Sequence, residues 1–504
     1  MCKYLSIGLS ILLALTFSAS AQPELDLTFN QTGKRTTSLW GPSAGTCAIV
    51  QPDNKIIVGG VAGNGGTNFV FVRYTADGAI DNTFGAAGFV ETDIVPNASD
   101  GPAALALQSD GKIIAVGIAN SQANQGDVAI VRYNSDGSLD TTFGSGGKIV
   151  QNVQQSGPDQ ATSVVVQPDG KIVVAGFAFA NVFSYYEIVL RFNPDGSPDQ
   201  TFGISGLATS AIGGGQGGGS QALSVALQAD GKIVTAGSTR TFGSGTFWDA
   251  HVIRYHSNGT RDNTFDGDGV KIFAPSTDTD KFSAVQIQTD GKIVAGGTAS
   301  GTGYGFYIIR MNPDGLPDNT FDGDGRAEPS IAGPLFSLVI SPGGKINAIG
   351  SLNNDFALAR FKANGTLDTS FSDDGKFSAV IEPGWSETAY GGGYDSVGRF
   401  VLGGNAASSL AVMRLRAPDT VGISGRVLRS DGTPASNAIL FLANETGVIR
   451  AARTNPFGYY RFTGIAPGAY TVSVASKGLT YQPRGVNAID ELVNVDFMPA
   501  PMNP

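Results

Sequence analysis

A short segment, Gln167-Pro-Asp-Gly-Lys-Ile172, keeps returning along this chain, and that return limits what the chain can fold into. It recurs at 51–56, 108–113, 228–233 and 288–293, with degraded copies at 341–346 and 395–400. Its basic residue falls at Lys55, Lys112, Lys171, Lys232, Lys292, Lys345 and Arg399, at intervals of 53 to 61 residues. A steady period of this size marks units that cannot bury their apolar faces alone and must stack on their neighbours.

A second signature follows each first one by about twenty residues. Arg132-Tyr-Asn-Ser-Asp-Gly-Ser-Leu-Asp140-Thr-Thr-Phe143 is a clean copy. Its Arg recurs as Arg73, Arg132, Arg191, Arg254, Arg310, Arg360 and Arg414. Eight residues after the first six of these stand Asp81, Asp140, Asp199, Asp262, Asp318 and Asp368. Asp-Gly between apolar runs is the strongest short-range hairpin signal. The third copy therefore reads as four short strands, over 163–167, 171–178, 187–192 and 206–210. Four antiparallel strands per unit is the pattern of a propeller blade, and no stretch holds an apolar helical period.

The seventh copy stops after Arg414, with Gly at position 422 where Asp is expected. Leu25-Asp26-Leu-Thr-Phe29 and 34–39 form an orphan second half at the other end of the chain. Joining the two halves pairs Arg414 with Asp26 and leaves no free sheet edge at the seam. The expected fold is all-β: a seven-bladed β-propeller whose N-terminal strand closes the last blade, followed by a small β-sandwich. An open repeat array is the alternative. An Arg inside an apolar strand needs a carboxylate partner, so the Arg and Asp columns are expected to form one structural ion pair per blade. The Lys column is expected to support the first turn of each blade.

On the motifs Gln-Pro-Asp-Gly-Lys-Ile and Asp-Thr-Thr-Phe-Gly, residues 22–416 resemble the delta-60 repeat of bacterial proteins. That resemblance implies a propeller-like domain and brings no activity with it. Residues 417–420 read as a linker, and the pattern changes over 421–504. There Ser424-Gly-Arg-Val, Thr454-Asn-Pro-Phe-Gly-Tyr-Tyr-Arg-Phe462 and Gly468-Ala-Tyr-Thr-Val-Ser-Val474 suggest about seven short strands. These motifs resemble the carboxypeptidase regulatory-like, or transthyretin-like, module. The resemblance implies an extracellular accessory or spacer, since no zinc peptidase domain accompanies it in this sequence.

Residues 1–21 begin with Lys3, run apolar from Leu5 to Phe17 and end in Ser-Ala-Ser-Ala, the pattern of a cleaved secretory signal peptide. Export, to the periplasm, cell surface or medium, is the expectation. No second long apolar run follows, so no membrane span is expected in the mature chain. The formal charge of −10 argues against nucleic acid as a partner. Only Cys47 remains after cleavage, in a column of small residues, and it is expected to be buried.

The search for chemistry turns up little. His251 and His256 show no metal-ligand spacing and are expected at the surface. No nucleophile elbow or phosphate-loop Lys is present, so no catalytic residue is assigned. Asp-Gly-Asp-Gly at 266–269 and 322–325 lacks the further ligands of a calcium loop. It reads as turn chemistry, with weak calcium binding as the alternative and no cofactor otherwise.

In a four-stranded meander the recurring turns lie on one face and the irregular loops on the other. Binding is expected on the irregular face, as on other rigid repeat scaffolds. Tyr185, Tyr186, Phe247, Trp248 and Trp385 stand in those loops. Eight residues before the Gln column, Asp100, Asp159, Asp280 and Glu387 are expected to ring the entrance of the central channel and attract a cation or basic ligand. Local turn-capping is the other reading of these acids. The leading function is a non-catalytic binding scaffold for an extracellular protein, peptide or glycan. A hydrolase or lyase with a site in the channel, and a purely structural envelope protein, are the alternatives.

Overall fold

The computed structural model describes residues 23–63, 66–120, 126–154, 157–181, 184–212, 218–240, 247–301, 304–396, 398–416, 421–445, 447–465, 468–476, 478–488, 492 and 494–499. The signal peptide and linker readings, at 1–21 and 417–420, fall outside these residues.

The repeats fold into seven antiparallel sheets, each a meander from an innermost to an outer strand. In the third blade the strands are Asp159–Val166, Ile172–Asn181, Ser184–Phe192 and Leu207–Ser210. The inner three are longer than the apolar runs alone predict, because the ladder continues through polar residues at the blade's irregular end. Every innermost strand carries a β-bulge, as between Gly45 and Cys47 or Ala161 and Ser163. Bulged residues reach across the junction: Thr46 Oγ1 donates to Pro102 O, and Thr162 Oγ1 to Ala222 O. Cys47 is buried here, and desolvation pushes its thiol up to about 12, so it stays protonated and inert.

The seventh sheet is shared between the two ends of the repeat region. Glu387–Tyr394, Phe400–Ala406 and Ser409–Arg416 supply its inner strands. Lys34–Thr37 pairs with Leu410–Met413 as the outer strand, and Glu24–Leu25 extends the same ladder. Leu410 and Val412 then pack with Ile56, Val58 and Val72 of the first blade, which closes the ring.

The second signature is one interlocked device. In all seven blades the Arg Nε bonds its Asp at 2.7–2.9 Å: Arg73–Asp81, Arg132–Asp140, Arg191–Asp199, Arg254–Asp262, Arg310–Asp318, Arg360–Asp368 and Arg414–Asp26. The same carboxylate oxygen receives the basic residue of the first turn at 2.9–3.5 Å, from Lys55 to Arg399. Its other oxygen accepts from the Thr or Ser two residues on, as Asp140 Oδ1 does from the N–H and Oγ1 of Thr142. The Phe that ends the motif lies under the guanidinium, 4.4–4.9 Å from ring centre to Cζ in every blade.

One nitrogen of that guanidinium leaves its own blade. Arg73 Nη1 donates to Ser135 O, Arg132 to Pro194 O, Arg191 to Ser257 O, Arg254 to Pro313 O, Arg310 to Ala363 O and Arg414 to Ala76 O. The receiving turn ends in a glycine for two reasons. Gly137 has φ +86°, and a Cβ there would meet Phe84 of the preceding blade at 2.8 Å.

Apolar faces of adjoining blades fill the space between them, as Ile114, Val116 and Ile130 do against Val164, Val174 and Leu190. Beyond the propeller, Val421–Arg426 pairs with Tyr459–Ile465. A second sheet holds Ile439–Asn444, Gly447–Arg453, Gly468–Ser476, Leu479–Thr480 and Arg484–Ala488. Ile423, Leu440, Phe462, Val472 and Phe497 form the core of this sandwich. No helix among the described residues is long and apolar enough to cross a membrane.

Candidate functional site

The irregular face is built from the connections between second and third strands and between one blade's outer strand and the next blade's innermost strand. In the third blade the hairpin of Ile172–Asn181 and Ser184–Phe192 rises above the others. Its length carries Phe177, Phe179 and Tyr185 together, edge to face at 5.5 and 5.0 Å. Trp248, just ahead of the fourth blade's third strand, joins them at 6.4 Å from Tyr185. Gly219 passes beneath, its Cβ position 2.9 Å from Tyr185 N and 3.6 Å from the Trp248 ring. Phe247, 45% exposed, stands beside this cluster in sequence. Two of the five expected aromatics, Tyr185 and Trp248, are thus brought together. Tyr186 points the other way along the strand, into the core between the second and third blades. Trp385 is 63% exposed and lies at the seventh blade. Residues 213–217 and 241–246 of the expected loops fall outside the described residues.

The acidic column is not an open ring. Asp100, Asp159, Asp280 and Glu387 are 0–1% exposed. Each folds back onto the connection that enters its strand. Asp159 Oδ2 accepts Val153 N at 2.6 Å and Gln154 N at 2.8 Å; Asp100 Oδ2 does the same with Ile94 N and Val95 N. Asp280 takes Ser276 N and Oγ, and Glu387 takes Ile381 N. Their amides reach back as well, Asp280 N to Trp248 O and Glu387 N to Asn354 O. The expectation of a cation-attracting mouth therefore gives way to capping: a short carboxylate saves two or three backbone N–H groups that burial would otherwise leave unpaired. Burial raises the carboxyls of Asp100, Asp159 and Glu387, outweighing those amide bonds.

The largest surprise lies on the strand of Tyr185 and the strand that follows Trp248. His251, expected at the surface, is fully buried, and Nε2 sits 2.8 Å from Oε2 of an equally buried Glu187. Glu187 Oε1 accepts Thr235 Oγ1 at 2.6 Å and Tyr255 OH at 2.8 Å. Tyr255 OH also meets Ser210 Oγ, and desolvation pushes its phenol far up. The network spans the junction of the third and fourth blades. Residue Glu187 occupies a column that is apolar in every other blade: Phe69, Val128, Ala250, Phe306, Phe356 and Leu410. His251 likewise replaces Val70, Ala129, Ile188, Tyr307, Ala357 and Ala411. Reading the columns side by side exposes both breaks, and reading each strand alone hides them. Both side chains are fully buried, and the pair serves as a joint between the two blades.

Two clefts stand out among the described residues of the propeller. On the irregular face of the fifth blade, a cleft of about 470 Å³ is lined by Tyr304, Phe306, Tyr307, Glu328 and Ile331. A larger one, about 920 Å³, lies on the opposite face between the recurring turns of the first three blades. Its charges are already committed, Lys112 and Arg132 both to Asp140, which leaves it a gap between structural turns. The Asp-Gly-Asp-Gly segments sit in turns: Asp268 Oδ1 caps Val270 N, and Asp266 pairs with Lys271 at 3.0 Å. Among the described residues no group of three or more His, Cys, Asp or Glu is arranged to hold a metal.

Comparison with known proteins agrees with this architecture. The family described as Domain of unknown function (DUF5122) beta-propeller matches residues 51–84, 108–143, 167–202, 228–265, 288–321 and 342–371. The Carboxypeptidase regulatory-like domain matches residues 422–497. No curated protein matches the sequence. A structure of an unknown function protein from Dyadobacter fermentans DSM 18053 is 14% identical, with a TM-score of 0.38, over 76% of this chain and 99% of that one. The β-propeller domain of the Trilobed protease from Pyrococcus furiosus is 11% identical, with a TM-score of 0.38, over 75% and 96%. Domains 1–2 of Drosophila Semaphorin 1a are 10% identical, with a TM-score of 0.39, over 75% and 87%. Likenesses at this level carry no argument about activity.

Proposed function

With a DUF5122 β-propeller and a carboxypeptidase regulatory-like domain in one chain, we propose an exported, non-catalytic binding scaffold that holds an extracellular glycan or peptide on the irregular face of its propeller. The observation that carries this reading is the convergence of Phe177, Phe179 and Tyr185 from one blade with Trp248 from the next. Aromatic faces held rigidly by neighbouring strands suit flat sugar or peptide surfaces. The half-exposed Phe247 and the Tyr304 cleft extend the same face. The leader-like residues 1–21 support export.

A glycan and peptide array probed with the full chain and with Phe247→Ala and Trp248→Ala variants tests this. Binding to a defined ligand class, weakened at least tenfold by Trp248→Ala in a chain of unchanged circular dichroism, is expected. Binding that ignores both substitutions would place the ligand elsewhere and overturn the reading.

A further inference from the structure

The C-terminal domain holds a cleft of about 570 Å³ between Val421–Arg426, Tyr459–Ile465 and the segment 494–496. Three arginines line it, Arg426, Arg453 and Arg461, against a single carboxylate, Asp496. That balance stands out in a chain of formal charge −10, where residues 421–504 carry seven Lys and Arg to five Asp and Glu.

The acid pairs with neither Arg426 nor Arg453 through its carboxylate and their guanidiniums. Asp496 Oδ1 accepts the backbone N–H of Arg426 at 2.7 Å. Arg426 is held by one bond, Nε to Phe457 O at 3.0 Å, with its guanidinium 5.1 Å over the Tyr459 ring. Its two terminal nitrogens are uncommitted among the described residues. The Arg453 side chain makes no hydrogen bond or ion pair to them. Guanidiniums gathered in one cleft repel each other, and a bidentate oxyanion relieves that repulsion while matching their planar forks.

Two further features narrow the ligand. Tyr459 and Phe457 expose 53% and 67% of their surface at the turn beside the arginines, which supplies aromatic faces for apolar ring C–H groups. Asn455 spends only its Oδ1, on Phe457 N and Tyr459 N, so its amide donors remain for hydroxyls, as does the whole side chain of Asn494. Guanidinium forks, an aromatic platform and amide groups together fit a sugar that bears an acid. We infer that this cleft is a second binding site, for an acidic saccharide of the uronic acid type, independent of the aromatic face of the propeller.

Calorimetric titration of the full chain with a galacturonic acid trisaccharide, a neutral galactose trisaccharide and a hexaglutamate peptide tests the assignment. Saturable binding of the acidic sugar alone is expected. Arg453→Gln, whose side chain holds nothing else in place, should weaken it at least tenfold while the melting temperature stays unchanged; Arg461→Gln is the second variant. Absence of binding to the acidic sugar, equal binding of hexaglutamate, or affinity unchanged in both variants would each overturn it. Because Trp248→Ala should leave this titration untouched, failure here is distinguishable from failure of the propeller site.

Discussion

The Arg414 guanidinium donates from Nε to Asp26 Oδ2 at 2.9 Å across 388 positions of sequence. The other six pairs of this kind span eight positions each, as Arg73 and Asp81 do. The local chemistry is the same, and only here does it hold the ring shut. Asp26→Ala would strand Arg414, 1% exposed, with Asp395 no nearer than 4.0 Å. Removing one partner of a buried pair costs about 3–5 kcal/mol. Urea unfolding should show a loss of that size for Asp26→Ala, and a similar one for Arg191→Ala; a loss below about 1 kcal/mol, the range of exposed pairs, would contradict the seam.

Deleting residues 23–37 removes both strands that cover Ser409–Arg416. The remaining blade presents an unpaired apolar edge, a template for another chain. Light scattering should then show self-association at concentrations where the whole chain does not associate. A synthetic peptide of residues 23–38 should restore the original size. A truncated chain that stays at its original size without the peptide would argue that the seam is not needed.

The Glu187–His251 joint predicts strong non-additivity. Glu187→Ile alone leaves His251, Thr235 and Tyr255 facing an apolar side chain, and His251→Val alone leaves a buried carboxyl without its imidazole partner. Each should cost about 3–5 kcal/mol. The double change Glu187→Ile with His251→Val restores the apolar columns of the other blades and should cost clearly less than the two single effects added. Denaturation of the four proteins measures the coupling, and simple additivity would remove the joint.

Stability should depend on pH in two opposed ways. Burial favours protonation of Asp81, Asp199, Asp262 and Asp318, but Thr hydroxyls and amides, Lys and Arg overcome it and hold these carboxyls far below 3.8. In Asp140 the Thr142 hydroxyl leads, and the carboxyl lies at about 2. A lowered folded value contributes stability that is present above the unfolded value and lost as pH falls through the folded one. Melting temperatures should therefore drop steeply below pH 4. Asp100, Asp159 and Glu387 are raised by burial, so their ionised forms weigh against the fold near neutrality and protonation relieves them. A modest rise in melting temperature as pH falls towards the ordinary carboxylate range should precede the drop. Asp159→Asn should flatten part of that rise; an unchanged slope would refute the assignment.

Much of this was legible because a repeat shows each contact seven times. The columns Arg73 to Arg414 and Asp26 to Asp368 name the seven Arg–Asp pairs and locate the seam. Depth was not legible. Asp159 and Asp280 sit at a fixed offset from the Gln column, yet offset gives angular position around the ring and says nothing about the loop that folds over them. Glu187 was readable in principle, since a charge had entered a column of Phe, Val, Ala and Leu, but strand patterning treats one Glu at a strand start as an end effect. The cleft around Arg453 depends on how Tyr459–Ile465 meets 494–496, a pairing between segments that share no repeat.

The guanidinium that crosses from blade to blade ends on a backbone carbonyl, and the residue offering it is Ser, Pro or Ala as the copy dictates. Such a coupling asks nothing of the neighbour's side chain. Blades joined this way are interchangeable parts, which a gene can duplicate or lose without redesigning the contact. The joint between the third and fourth blades is keyed, since Glu187 fits only a neighbour that carries His251, Thr235 and Tyr255. Lighter keys sit at other junctions, as Tyr133 OH to Thr92 Oγ1 and Tyr74 OH to Thr37 Oγ1, so a blade copied into those places would have to bring the matching side chain.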